Sequence, residues 1–261
     1  MLRAFSTAAT GMAGQQMIVD VIANNLANIN TNGFKRSQVD FQDLMYLKMA
    51  EAGRETTAGT VAPAGFEIGS GVRPASTTKI FTGGELAATG RDQDVAISGD
   101  GFFEVTMPDG TTRYTRDGAF QVSANRQLVN SQGFLIAGGV TIPQDSVSIS
   151  IGTDGTVTSH AATGISSVIG TIPLVRFANP AGLRSEGDNM YTETTASGNA
   201  LAGTAGKEGF GTLQQGFLEQ SNVQMVTELV NLIKAQRAYE INSRAIKAGD
   251  DMLSTANRLI Q

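Results

Sequence analysis

Hydrophobic positions divide the chain into stretches of different period. Near the C-terminal end, Met225, Leu232, Tyr239, Ile246, Leu253 and Ile260 recur every seven residues, with Ala238, Ala245, Met252 and Leu259 beside them. This spacing predicts one long helix over 222–261 with an apolar seam, to which Leu229 adds. Ser221 followed three residues later by Gln224 fits a capping box at its start. At 1.5 Å per residue the helix would be roughly 60 Å long, more than a compact domain needs, so the seam seeks partner helices. Over 1–31, Phe5, Met12, Val19 and Leu26 stand seven apart, with Ala8, Gln15, Ile22 and Ile29 three residues after each, which predicts a second helical seam. Small residues (Ala8, Ala9, Gly11, Ala13, Gly14) let backbones approach closely, but each Gly lowers helix propensity by up to about 1 kcal/mol. Asn32-Gly33 reads as the stop.

The middle of the chain has strand character. Residues 34–50 are ambiguous between strand and short helix, and 51–65, rich in Gly, Ala and Thr, read as an extended arm or loop. From about Val72 short runs alternate between Asp100-Gly101, Asp109-Gly110, Asp117-Gly118 and Asp154-Gly155, and Asp-Gly supplies the positive φ that tight hairpins need. The expected fold class is α+β: long terminal helices forming a coiled-coil-like unit, with an inserted antiparallel β domain and an extended arm. The expected divisions are an N-terminal helix (1–31), arm and connecting β segment (32–90), antiparallel β domain (91–195), returning connector (196–221) and C-terminal helix (222–261).

Packing the two seams against each other and against copies in neighbouring subunits buries both, so helices loose in the monomer and ordered in an assembly are expected. A two-stranded zipper would want apolar residues at Gln236, Ser243, Asp250 and Asn257; their polarity suits a helix packed on one side and wet on the other. Asn24, Asn25, Asn28, Asn30, Gln236, Arg237 and Asn242 interrupt the seams as solvated positions or as register-fixing polar groups.

Composition removes several classes of chemistry. The 261 residues can bury a substantial core, and a net charge of -5 offers no basic footprint for nucleic acid. Without Cys there are no disulfides or thiolate sites, and a single His disfavours triads and multi-His metal sites. No apolar run approaches the ~18 residues of a membrane span. Arg3 with Ala4 to Ala13 faintly resembles a secretory signal, but the helical pattern runs past any cleavage point, so an exported chain is expected to leave uncleaved. The Asp-Gly pairs lack EF-hand spacing, His160 sits in a polar run, Gly69-Ser70-Gly71 is too short for a phosphate loop, and Asp92/Asp94 and Asp250/Asp251 read as solvated faces. No catalytic, cofactor or metal residues are expected; an oligomeric envelope carbohydrate-binding module remains the alternative from another class.

Specific runs then point to a family. Thr10-Gly11, Gln15-Gln16 and Val21 to Lys35 resemble the N-terminal signature of flagellar basal-body rod and hook proteins. Ser221-Asn-Val, Glu228-Leu-Val, Gln236 to Ile246 and Asp251-Met-Leu253 are similar to its C-terminal partner signature, and Asp94 to Phe103 and Tyr114 to Phe120 are also family-like. Ile68 to Pro74, the length and the arm over 46–65 look most like distal rod members, with a proximal rod or hook subunit as competitor. The resemblance implies a homo-oligomeric helical tube with terminal helices around an export channel, the β domain outside, and an arm that bridges subunits. It also implies export through the flagellar type III apparatus into the periplasm-spanning rod, with proximal rod proteins, the hook protein and surrounding ring proteins as partners. The expected subunit-packing residues are Phe5, Met12, Val19, Ile22, Asn25, Leu26, Met225, Leu229, Leu232, Gln236, Tyr239, Ile246 and Leu253.

Overall fold

The structure, a computed structural model, describes residues 2–57, 60, 61, 63–162 and 164–260, without the side chains of residues 2, 55–57, 60, 61, 256, 257, 259 and 260. The side chains of the seam positions Leu259 and Ile260, the helix end at Gln261 and residues 58, 59 and 62 of the arm thus lie outside what is described. Contacts divide the chain into two compact units, one formed by the segments up to Leu26, Ser37–Thr78 and from Gln224 onward, the other by Ala27–Arg36 and Lys79–Val223.

The first unit carries the two long helices, α1 (Leu2–Ala27) and α2 (Met225–Ile260). They run antiparallel: a Cβ on Gly11 would fall 3.0 Å from Nδ2 of Asn242, and one on Gly249 would fall 2.9 Å from a ring carbon of Phe5. The small residues therefore act as the composition suggests, letting a neighbour sit on bare backbone. Gly14 does the same for the ring of Phe41, 3.0 Å from the position of a Cβ.

Of the two readings left open for 34–50, strand is the one observed, and the described residues of 37–79 form nested strand pairs. Ser37–Asp43 pairs with Val72–Lys79, Leu47–Ala50 with Phe66–Ile68, and Glu55–Thr57 with Thr60–Val61. Across the first pair, Thr78 and Ser76 donate hydroxyl hydrogen bonds to Asp40 at 2.6 and 3.2 Å. The hairpin is anchored by Asn25, which is 1% exposed and both donates to the Ser37 carbonyl and accepts from the Ser37 amide at 2.9 Å.

In the second unit every strand pairing is antiparallel. Phe102–Thr106 is central, with Thr112–Thr115 on one side and Leu135–Ile136 and Leu174–Arg176 sharing the other. A meander of Ser146–Ile151, Thr156–Ala161 and Ser166–Thr171 and the pair Val95–Ser98 with Thr212–Gln215 complete the wall. Phe103, Val105, Phe120, Val157, Leu174 and Leu213, all almost fully buried, form the main core. This unit reaches beyond the expected 91–195 on both sides. The returning connector expected over 196–221 contains Leu201–Gly203, paired with Leu174–Arg176, and the buried Ala205.

Two of the Asp-Gly pairs turn hairpins as expected. At Asp109-Gly110 and Asp154-Gly155 the glycine has positive φ, and the Asp side chain accepts the amide two residues on, at 2.9 and 3.0 Å. Asp117-Gly118 differs: a Cβ on Gly118 would fall 1.7 Å from the Val95 carbonyl oxygen, so this glycine serves close backbone approach instead.

The helix ends are also corrected. The α1 helix stops at Ala27, several residues before Asn32-Gly33, where Asn28 accepts the Thr31 amide in a tight turn. At the other end no capping box forms. The Ser221 hydroxyl accepts the Val223 amide at 3.3 Å, and α2 begins at Met225, because Asn222 uses its side chain on Arg36, Ile80 and Thr82, which holds 219–223 outside the helix.

Candidate assembly surface

The face of α2 turned toward α1 is not the apolar seam read from the sequence. It is a stripe seven residues apart, Glu228, Ala235, Asn242 and Gly249, the first two buried and the last two holding the contacts with α1. The seam stands three residues from this stripe, about 60° away around the helix. Ile246 and Leu253 are half-buried, whereas Met225 is 51% exposed and Tyr239 45%. Leu229 and Gln236 are also exposed, and Leu232 is half-buried. On α1, Ile22 and Asn25 are buried, and Phe5, Met12, Val19 and Leu26 are partly covered. Phe5 is brought against α2 at Gly249. Asn25, read as either a solvated or a register-fixing position, is buried and spends its amide on Ser37 of its own chain.

A second apolar stripe is not evident from periodicity, because its sevenfold repeat, begun by Val226 and Ile233, stops at Glu240. Val226, Val230, Ile233 and Ile241 lie on the side of α2 away from Ala235, at 75%, 44%, 50% and 64% exposure. At about 100° per residue they share one face. The hairpin adds Met45, Met49 and Phe66, all mostly exposed. Beside them a hollow of about 320 Å³ is lined by Arg3, Thr7, Tyr46, Leu47 and Ser70 among others. Exposed apolar surface concentrated this way is characteristic of interaction sites.

The residues considered for chemistry do not converge. His160 shares a 2.8 Å hydrogen bond with the Ser166 hydroxyl on a strand of the meander. Asp92 is exposed while Asp94 is buried against Arg91. Burial pushes the Asp94 carboxyl up, but the hydrogen bonds and charge of Arg91 more than offset it and hold the group below the usual carboxylate range. Asp250 and Asp251 lie on the exposed side of α2. Among the described residues there is no acidic, His or Cys group arranged to hold a metal ion, and no helix is long and apolar enough to cross a membrane. A hollow of about 410 Å³ in the β unit is lined by Asp92, Ser123, Arg126, Ser146 and Ile149 among others, with no aromatic ring in its lining to stack on a sugar.

Comparison with known proteins matches three parts of the chain to family models. Residues 5–35 match the flagella basal body rod protein, 96–159 the flagellar hook protein FlgE/F/G D1 domain, and 214–259 the flagellar basal body rod FlgEFG protein C-terminal region. The chain is 49% identical to the flagellar basal-body rod protein FlgG of Buchnera aphidicola subsp. Schizaphis graminum, over 96% of each chain. It is 47% identical to that of Borreliella burgdorferi over 99% of each, and 39% identical to that of Bacillus subtilis over 97% of each. End-to-end similarity of this kind, together with a fold that joins antiparallel terminal helices to a β unit, places the chain in the flagellar basal-body rod family, among its FlgG-like members.

Proposed function

We propose that this structural rod subunit polymerises into the distal rod: a straight, hollow helical tube that transmits torque to the hook and encloses the export channel. The observation that carries the reading is α2, whose one side meets α1 while apolar residues remain uncovered on others. A subunit that offers different surfaces to different neighbours makes heterologous contacts, and these propagate into an open helical polymer rather than closing into a dimer. In this reading Met225, Leu229, Leu232, Gln236 and Tyr239 on α2 pack against neighbouring copies, as do the partly covered Phe5, Met12, Val19 and Leu26 of α1. Ile22, Asn25, Ile246 and Leu253 serve the subunit's own helical layer. The exposed Met45, Met49 and Phe66 let the hairpin bridge subunits. The proposed partners are further copies, proximal rod proteins, the hook protein and the surrounding rings, in the periplasm, after export without a cleaved signal. No catalytic residue or cofactor enters the mechanism.

Electron microscopy of the purified chain at rising concentration tests the reading. Straight hollow tubes are expected, and they should be abolished by Leu232→Asp with the β unit still folded. Closed small oligomers, or normal tubes from that variant, would overturn it.

A further inference from the structure

Three segments distant in sequence interlace inside the second unit: 33–36, just after α1; 80–85; and 219–222, just before α2. Backbone bonds join them pairwise, with the Gly33 amide donating to the Glu219 carbonyl (2.8 Å), the Ile80 amide to Arg36 (2.9 Å) and the Gln220 amide to Glu85 (2.8 Å). Two glycines are forced by the closeness. A Cβ on Gly33, which also has φ +68, would fall 2.7 Å from the Arg116 backbone, and one on Gly84 would fall 1.9 Å from the Gln220 carbonyl oxygen.

At the centre are three buried charges. The Lys35 ammonium, 0% exposed, donates to Glu219 Oε1 at 2.5 Å and to the Thr82 carbonyl at 2.7 Å. The same Oε1 accepts the Gly84 amide at 2.9 Å, and Oε2 accepts Arg116 at 3.3 Å. The Arg116 guanidinium lies 5.2 Å from the centre of the Phe102 ring.

A buried ion triad is weak evidence of net stability, since apolar side chains of similar volume often serve as well or better. What charges add is direction. Glu219 is satisfied only when Lys35, Gly84 and Arg116 arrive together: a slip of 219–222 would leave two cations and a carboxylate buried without partners, a slip of 33–36 would withdraw the ammonium, and a slip of 80–85 would withdraw the Gly84 amide and the Thr82 carbonyl. We propose that Lys35, Glu219 and Arg116 form a register lock that fixes one arrangement of the segments following α1 and preceding α2, and that this, rather than net stability, is why the charges stand there.

The test uses the full chain at concentrations below polymerisation. Glu219→Gln keeps the shape and strips the counter-charge; the triple variant Lys35→Met/Glu219→Leu/Arg116→Met removes all three charges. Denaturation midpoints are read together with amide hydrogen exchange at Gly33, Ile80 and Gln220, whose acceptors are backbone carbonyls that survive the changes, and at Val105 as a core reference. Glu219→Gln is expected to lower the midpoint and speed exchange at the three amides. The triple variant is expected to recover the wild-type midpoint while those amides still exchange at least tenfold faster than wild type relative to Val105. If the triple variant retains wild-type exchange, the charges fix nothing. If it fails to recover the midpoint or does not fold, they serve stability instead. If Glu219→Gln changes neither reading, the triad is inert. Each of these results overturns the proposal.

Discussion

Replacing Ile233 with Asp sets a carboxylate in the middle of the exposed stripe of α2 and leaves the stripe facing α1 untouched. Ile233 is 50% exposed, so covering its remaining half against a neighbouring copy contributes about 1 kcal/mol of the roughly 1.5–3 kcal/mol that complete burial brings. A carboxylate enclosed at the same place without a partner adds a penalty of about 3 kcal/mol. Together these amount to about 4 kcal/mol per subunit, and at about 1.4 kcal/mol per tenfold the critical concentration for polymerisation should rise roughly a thousandfold. Sedimentation of polymer across a concentration series measures it. Thermal unfolding of the dilute monomer serves as the control, where an exposed substitution is expected to shift stability by no more than about 0.5 kcal/mol. Polymerisation of Ile233→Asp at the wild-type concentration would refute the assignment of this stripe to subunit contacts.

Three further outcomes follow from single side chains. Asn25→Ala removes both bonds to Ser37 and strands a partly buried backbone amide and carbonyl, so about 1–3 kcal/mol of local stability should be lost, read as faster hydrogen exchange through Ser37–Asp43. Gly249→Val pushes against Phe5 and should weaken the α1–α2 packing by about 1–3 kcal/mol, with partial rescue by Phe5→Ala in a double-mutant cycle. Burial, with the nearby Asp94 charge, raises the Asp117 carboxyl above its ordinary value, although the Ala119 amide bonded to it pulls the other way. The folded state thus binds a proton more tightly than the unfolded chain, and this contribution to stability is present below the ordinary carboxylate range and lost as pH rises through the elevated folded value. Asp117→Asn, which keeps an acceptor for Ala119 (3.0 Å), should therefore unfold at higher temperature than wild type at neutral pH, with the difference vanishing in acid.

Much of the fold was legible because helices announce themselves locally. Both terminal helices, the β character between them and the Asp-Gly hairpins at 109–110 and 154–155 follow from periodicity and turn chemistry, which depend on residues a few positions apart. The hairpin over 37–79 was less legible, because its paired segments mostly expose polar or isolated apolar side chains and present no alternation to read. The capping box failed because Asn222 had non-local partners that no local motif reveals. The lock formed by Lys35, Glu219 and Arg116 was invisible for the same reason: its members are charged residues, ordinarily read as solvated, and Lys35 and Glu219 stand 184 positions apart.

The seam of α2 separates the two sources of information most clearly. Hydrophobicity and spacing are properties of the residues, and they suffice to establish a long helix whose apolar residues exceed what one partner can cover. Which side meets α1 depends on packing in three dimensions. The seam and the stripe that meets α1 share the same sevenfold spacing about 60° apart around the helix, and close approach favours small residues such as Ala235 and Gly249 over large ones. The stripe of Glu228, Ala235, Asn242 and Gly249, which no hydrophobic count would single out, therefore faces the subunit's own α1, and the larger side chains of Val226, Ile233 and Ile241 stay uncovered on the other side.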